Sequence, residues 1–581
     1  MTAIDWLLVL VLNGSIVAYG FYLSRGVKTS TDWFLAGRTL PWWLVGISMY
    51  ATAIDSSDLV ADSGGTYVLG FSYFVTNWVG VVGGWAIAAF LILPSIYRAG
   101  IYTNAQYLEA RFGPAVRVIC ALIQVQYRTL VLAIIANTLF LTLSIVCGWG
   151  EGAWWAVAAI ALLASIYTAL GGLRSVAVTD ALQFVVMTVA GLVIWVVVWN
   201  QVGGWDGLTQ GLENHEPGLS DRLLHVGHEN IDLTKVDELP PQTIERKLLL
   251  GGTYDAEEGV ITRRTPAWLV ALAFVIAGGA YSVVNHTQSM RMLASKSEWN
   301  MKMAVWLAAA AMLVMTFFNL SMGVMGRALF PDESALPLAT KDAIYPYLVS
   351  QDFVVVGLKG LVVAGVLAAS LSTFDSIGST LSALLTRDVY ARFIVRNKND
   401  RHYMRVGQWL TPLIIGGSFF YVPFMKSGML LFYLDLTSTF VIPLLTLFLL
   451  GSLTRVHRRA GLIGVLVGSA YGVLRLLAQP IAESHGIAIL PGIMTNTYAA
   501  YVFSMLITAG TMVLVSLVAG WEPRGELLHE EKTGWLRSGQ LELRKLQPST
   551  DLQATRASRL PAVLAIIAVA IGCVLSFVVF W

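Results

Sequence analysis

Runs of about twenty apolar residues, the length a helix needs to cross a bilayer, recur fourteen times in this chain. They fall near 4–23, 41–66, 70–97, 115–147, 152–171, 176–202, 266–292, 300–330, 351–388, 403–423, 427–451, 460–479, 492–520 and 560–581. In hydrocarbon every backbone group must be satisfied internally, so spans of this length are helices. The composition agrees: 56% of residues are hydrophobic and 13% charged, whereas soluble domains average about 25% charged. The expected fold class is an all-α polytopic membrane protein. A net charge of +2 gives no electrostatic case for a nucleic-acid partner. Cys120, Cys147 and Cys573 lie in or beside apolar runs without pairing or metal spacing, and read as small core residues. Residues 1–5 carry no basic n-region and no cleavage site, so the first run reads as a retained span.

Positive charge orients the chain. Arg25, Lys28 and Arg38 follow the first run, and Arg98, Arg111 and Arg117 come two crossings later. Arg174 follows, then Arg291, Lys296 and Lys302, then Arg387, Arg392, Arg396, Lys398, Arg401 and Arg405, and last Arg455, Arg458 and Arg459. With fourteen spans all of these share the inner side of a plasma (inner) membrane, and both termini are extracytoplasmic. The outer side receives the 331–350 loop and the acidic 203–265 loop, with Asp237, Glu238, Asp255, Glu257 and Glu258. The polar 521–559 segment is then cytoplasmic. Trp535, Leu536, Leu541, Leu543 and Leu546 suit a helix lying on the membrane surface, and a plain tether is the alternative.

Polar residues inside the spans mark function, because they are costly at that depth. Ser370, Ser372, Thr373, Asp375 and Ser376 fall within two turns of one span. The second run holds Asp55, Ser56, Ser57 and Asp58 at its centre, followed by Gly64 and Gly65. In the seventh, Ala277-Gly-Gly-Ala-Tyr281 reads as loose and leads into Asn285, His286 and Gln288. Interrupted helices at matching places in two halves point to a transport site. Their five-span separation fits two inverted repeats of five helices. Arg128 is an unusual mid-span cation. The bland readings stand beside these. Ser and Thr often bond the carbonyl four residues back or glue helices together. His286 reads as a bonded core residue, and the nineteen tryptophans as interface belts. Gly83-Gly84 and Gly171-Gly172 read as close helix packing. No nucleophile–base pair, nucleotide loop or metal-binding spacing argues for an enzyme.

Four stretches carry a family resemblance: Ala36 to Trp43, Tyr107 to Gly113, Leu170 to Asp180 with Leu182 and Gln183, and Ala369 to Ser376. In this order they resemble the sodium/solute symporter family, which includes the sodium/glucose cotransporters. The resemblance implies an inverted-repeat transporter fold of five plus five core helices with about four additional helices, and alternating access driven by sodium. The implied parts are 1–40 (peripheral helix and cytoplasmic loop), 41–202 (first repeat), 203–265 (outer loop) and 266–451 (second repeat). Two peripheral helices (452–520), the cytoplasmic segment 521–559 and a final span (560–581) complete the chain.

The same resemblance implies a main sodium site from Ala51, Ile54, Ala369, Ser372 and Thr373. It implies a second site, for Na⁺ or H⁺, from Asp180, Ser372, Asp375 and Ser376. The competing reading has Arg128 balancing Asp180 and Asp375. One or two coupling ions are thus expected. The solute positions carry over to Ala53, Asp58, Asn77, Tyr281 and Asp435, which depart from the sugar pattern except at Tyr281. A sugar or polyol is the first expectation, an amine-bearing solute the second and a carboxylate the last. Asp58 facing Arg128 in a purely structural role also stays open. The expected partners are a small solute and the bilayer, with a monomer or loose oligomer. A ligand sensor on the same fold is the rival class, although only about forty polar residues precede the last span.

Overall fold

The computed structural model describes residues 1–24, 33, 36–98, 101, 103–235, 244, 248, 252–255, 259–425, 428–522 and 558–581. Most of the 521–559 segment, Arg25, Lys28, Asp237, Glu238, Glu257 and Glu258 lie outside the described residues. The chain opens with α1 (Ala3–Ser24), α2 (Trp42–Ala53) and α3 (Ser56–Leu69). A rod of mixed π and α turns follows over 76–98, then α4 (Asn104–Phe112), α5 (Pro114–Val146) and α6 (Ala153–Val202). The second half contains α7 (Ala267–Val284), α8 (His286–Leu293), α9 (Glu298–Leu329), α10 (Leu358–Leu384), α11 (Asp400–Ser418) and α12 (Met429–Leu436). Beyond these lie α13 (Ile442–Leu453), α14 (Arg458–His485), α15 (Thr497–Ala519) and α16 (Leu560–Val574).

Eleven helices among the described residues are long and apolar enough to span a bilayer, or twelve with the bent pair Ser56–Phe74 and Thr76–Ile92 taken as one. Three of the fourteen expected runs account for the difference. The 41–66 run breaks into α2 and α3, neither long enough alone. The 70–97 run bends by 52° against its predecessor. The 403–423 run is α11, whose first turns carry Asp400, Arg401, His402 and Arg405.

α10 is the central post. Every residue from Val362 to Leu384 is buried, and the helix packs chiefly on α6. Its N-terminus is held by α1: Asp5 Oδ1 accepts from the backbone N–H of Gly357 at 2.8 Å and of Gly360 at 2.9 Å, a carboxylate at the positive end of a helix dipole. α6 joins two spans through a kink at Gly172, where φ is 62°. A Cβ there would lie 2.9 Å from the Trp33 backbone, so both the dihedral and the contact require glycine. The rod over 76–98 meets α7 without side chains between them: a Cβ on Gly278 would sit 2.5 Å from the Gly80 backbone.

The 203–265 segment adds the one sheet among the described residues, three antiparallel strands in the order β1-β3-β2 (β1 Asn230–Lys235, β2 Thr253–Asp255, β3 Val260–Thr265). The Ala277–Tyr281 stretch, expected to be loose, is wound as ordinary helix within α7. The interruption falls four residues later, at Asn285 (φ −63°, ψ 107°). The glycines serve packing instead.

Candidate functional site

Two broken helices face each other beside α10. The first opens at Ile54 (φ −105°, ψ 109°) and Asp55 (φ −122°, ψ −169°). Asp55 restarts the helix by accepting from Ser57 N at 2.7 Å, while Asp58 Oδ2 accepts from Asp55 N at 2.7 Å. This is a capping box, which offers the backbone a local alternative to the helical ladder. The second break has the same chemistry: the Asn285 side chain accepts from Thr287 N at 3.0 Å. The halves then reach across. Gln288 Nε2 donates to Met49 O at 3.2 Å, and Tyr281 Oη donates to Thr52 O at 3.4 Å.

α10 supplies two kinds of hydroxyl. Ser370 Oγ donates to Val366 O at 2.8 Å and Thr373 Oγ1 to Ala369 O at 3.3 Å, bonds within one turn. Ser372 instead leaves its own helix, with Oγ 3.1 Å from Ala51 O and 2.7 Å from Asp180 Oδ1. Ala51, Ala369, Ser372 and Thr373 are fully buried, and Ile54 is 3% exposed. Ile54 caps α2, so its carbonyl lies beyond the helical ladder. The five residues offer buried carbonyl and hydroxyl oxygens at a helix break. Hard oxygen donors suit a hard cation such as sodium and not a soft metal.

Below this set lies a second cluster. Asp180 accepts from Ser48 Oγ at 2.6 Å, from Ser372 at 2.7 Å, from Arg291 Nη2 at 2.9 Å and from Thr52 Oγ1 at 3.5 Å. Arg291 also donates from Nε to Ser48 Oγ at 2.8 Å, from Nη1 to Thr287 O at 2.9 Å and from Nη2 to Ser376 Oγ. Both members of this ion pair are fully buried. The charge partner of Asp180 is therefore Arg291 and not Arg128. Asp375 takes hydrogen bonds from Tyr167 Oη and, at 2.7 Å, from Thr168 Oγ1 on α6.

A cavity opens next to the first break. Its walls include Ala53, Asp55, Asp58, Asn77 and Tyr281, as well as Asp62 and Arg128. The 55–58–62 spacing puts three carboxylates on one face of α3. Tyr73 Oη donates to Asp62 Oδ1 at 3.0 Å. Arg128 is 2% exposed, lies 5.8 Å from the centre of the Tyr281 ring, and its Nε and Nη2 find no acceptor among the described residues. Asp435 is turned elsewhere. Its Oδ1 pairs with Arg475 Nη2 at 2.5 Å and accepts from Thr497 Oγ1 at 3.2 Å, and the cavity lining omits it.

Sequence reasoning missed Asp62 and Arg291. The first was signalled by its helical register with Asp55 and Asp58. The second reads from the sequence as one of the inner surface charges. His286 matches its bland reading: it is 1% exposed, with Nδ1 3.0 Å from Ser289 Oγ.

Known proteins fit this geometry. A family model described as the sodium:solute symporter family matches residues 33–468. Human sodium/glucose cotransporter 4 is 26% identical over 598 aligned positions, covering 96% of this chain and 82% of the relative. The dog (Canis lupus familiaris) sodium/myo-inositol cotransporter is 26% identical, covering 87% and 71%. Among solved structures, a Na⁺-coupled sialic acid symporter in a substrate-bound outward-open state superposes with a TM-score of 0.69 at 17% identity, over 89% of this chain and 98% of that one. That likeness establishes the fold, the inverted-repeat transporter architecture.

Proposed function

Because the chain belongs to the sodium:solute symporter family, we propose that it imports a sugar or polyol together with sodium by alternating access. The carrying observation is the approach of Ser372 Oγ to the Ala51 carbonyl, 3.1 Å apart at the break of the first core helix. Ala51, Ile54, Ala369, Ser372 and Thr373 hold the ion. Ala53, Asp58, Asn77 and Tyr281 face the solute, joined by Asp62 and Arg128. The relatives named for glucose and myo-inositol support a polyhydroxylated solute. Carboxylates and a guanidinium with free N–H groups suit paired hydroxyls, and the Tyr281 ring suits the apolar face of a sugar.

A ligand moves the outward–inward equilibrium only by its differential affinity for the two states. Sodium therefore favours the outward form, and the Ala51–Ile54 backbone that it would touch also carries Ala53 on the solute side. The two repeats are 41–202 and 266–451, with 203–265 over the outer face. The chain works as a monomer or loose oligomer in the plasma (inner) membrane with both termini outside.

A second reading, an amine-bearing solute, is favoured by one observation. Asp55, Asp58 and Asp62 meet a single cation, Arg128, among the described lining residues, and buried charge without a partner is costly. Uptake into proteoliposomes, with and without an inward sodium gradient, tests the proposal using glucose, myo-inositol and glucosamine. Sodium-driven accumulation of a neutral polyol supports the first reading, and of glucosamine alone the second. Solute binding without accumulation would make the chain a sensor.

A further inference from the structure

The cavity has a thin wall on one side. On α3, Ala61 and Asp62 line the cavity, while Gly65, one turn on, lines a second pocket. On α12, Leu430 lines both. The second pocket is also walled by Asn230 and Thr265 of the 203–265 segment and by Lys341 of the 331–350 segment, the side proposed as outer. Leu430 and Gly65 divide the two spaces. A Cβ on Gly65 would lie 2.4 Å from Leu430 Cδ2, so the leucine rests directly on the α3 backbone. The contact is apolar, and dispersion alone holds it.

The residue before each member of this pair meets one side chain, Asp342, which is 4% exposed. Its Oδ2 accepts from the backbone N–H of Met429 at 3.1 Å. The first turn of a helix leaves such N–H groups without helical partners, and a carboxylate suits that end of the dipole. On the other flank, a Cβ on Gly64 would fall 2.4 Å from Asp342 Oδ1 and 2.9 Å from its Cα. Asp342 is thus wedged between residues 64 and 429, one step from each side of the wall. Its own segment is anchored. Thr340 Oγ1 caps the 3₁₀ turn Lys341–Ala343 by accepting from Asp342 N, and Ile344 and Leu348 of the helix Ile344–Ser350 are fully buried.

We propose that Asp342 latches the passage between the second pocket and the cavity. Its bond to Met429 holds Leu430 over Gly65, and solute passes when that bond breaks and the start of α12 moves off α3. The inference rests on the reading of the cavity as the solute site. The described cavity lining omits Asp342, so it is a positioning residue. The latch requires an acceptor oxygen and no charge, and an amide at this place supplies one.

Cysteine labelling reads the passage without any solute. Ala61→Cys places a thiol in the cavity of the full-length protein, and Cys147→Ala with Cys573→Ala removes the half-buried native thiols. A membrane-impermeant methanethiosulfonate reagent is added outside intact cells in sodium-free medium. Asp342→Ala should raise the labelling rate about threefold to tenfold, the range of one hydrogen bond. Asp342→Asn should keep the slow rate. Gly64→Ala, whose methyl would push the carboxylate off Met429, should match Asp342→Ala and carries the test should that variant fail to fold. Leu430→Ala should label fast, and adding Asp342→Ala should speed it no further, because the latch then has nothing to hold. A merely structural aspartate would add to the effect. Unchanged rates in Asp342→Ala and Gly64→Ala, an Asn variant as fast as Ala, or additive rates in the Leu430 pair would each overturn the proposal. Sodium with glucose, myo-inositol or glucosamine should slow the labelling. A latch effect that none of these solutes modifies would remove the solute-site reading and leave the latch standing.

Discussion

Tyr281 Oη stands 3.4 Å from the carbonyl oxygen of Thr52, a contact that joins the last turns of two helices just before both are interrupted. Gln288 Nε2 donates to the same phenol at 3.1 Å and also to Met49 O at 3.2 Å. The ring lines the cavity, while its hydroxyl ties the two interrupted helices together. Tyr281→Phe should keep the ring surface and lose the tie, weakening solute affinity by about threefold to tenfold, the range of one hydrogen bond. Tyr281→Ala should lose uptake altogether. Uptake kinetics with solute-binding titrations would show both, and a Phe variant as poor as Ala would place the function in the hydroxyl alone.

Thr373→Ala removes one oxygen from the proposed ion site and replaces a hydroxyl bonded within its own turn. The protein should stay folded, because the lost bond is local. Sodium-dependent uptake and thermal stabilisation by sodium should vanish, while Thr373→Ser should restore both. Unchanged uptake by the alanine variant in proteoliposomes would remove this residue from the site.

Asp62 faces the cavity with one hydrogen bond from Tyr73. For an amine-bearing solute, Asp62→Asn should cost tenfold or more in affinity, about 1.5–3 kcal/mol for a bond to a charged group. For a neutral polyol the change should stay within a few-fold. Competition between glucosamine and glucose in the two proteins separates these outcomes.

Beyond the start of α5, Glu109 pairs with Arg117 and, at 2.8 Å, with Arg392, while Arg117 reaches Asp388 at 2.5 Å. Burial raises the Glu109 pKa, yet hydrogen bonds from Arg117 and Arg392 outweigh it and hold the carboxyl below its ordinary range. A lowered carboxylate pKa contributes stability above the unfolded value, near 4.3, and that contribution is lost as pH falls through the folded value. Thermal stability in detergent should therefore drop below about pH 4, with a smaller drop in Glu109→Gln. Asp388→Asn leaves Arg117 buried beside a weaker partner and should cost about 3 kcal/mol at neutral pH.

Much of this architecture is legible in the chain. The polar run Asp55 to Asp58 announces the first break because a capping box is a local signal. Ser372 stands out because its hydroxyl lies in an apolar span. The sequence misplaces the second break because glycines at 278 and 279 look like flexibility, whereas Gly278 serves a close approach to Gly80, and Gly279 lies against Gly84, contacts that only the folded chain reveals. Arg291 looks like a surface charge in the sequence for a related reason. Span counting takes 266–292 as one crossing that ends near the inner face, so an arginine at 291 looks solvated. Asn285 ends α7, and α8 is buried throughout and brings Arg291 to Asp180. Asp435 failed differently. The resemblance implies its place in the site, but Arg475 lies on α14, forty residues further along the chain, where no local pattern could anticipate the pairing.

Gly80 and Gly278 leave no methyl-sized gap between their two backbones. Relatives that carry alanine at either place must hold those helices farther apart, which should widen the cavity that both line through Asn77, Val81, Ala277 and Tyr281. The pair thus serves as a gauge: the residues at these two positions should forecast, among otherwise similar carriers, which accept bulkier cargo.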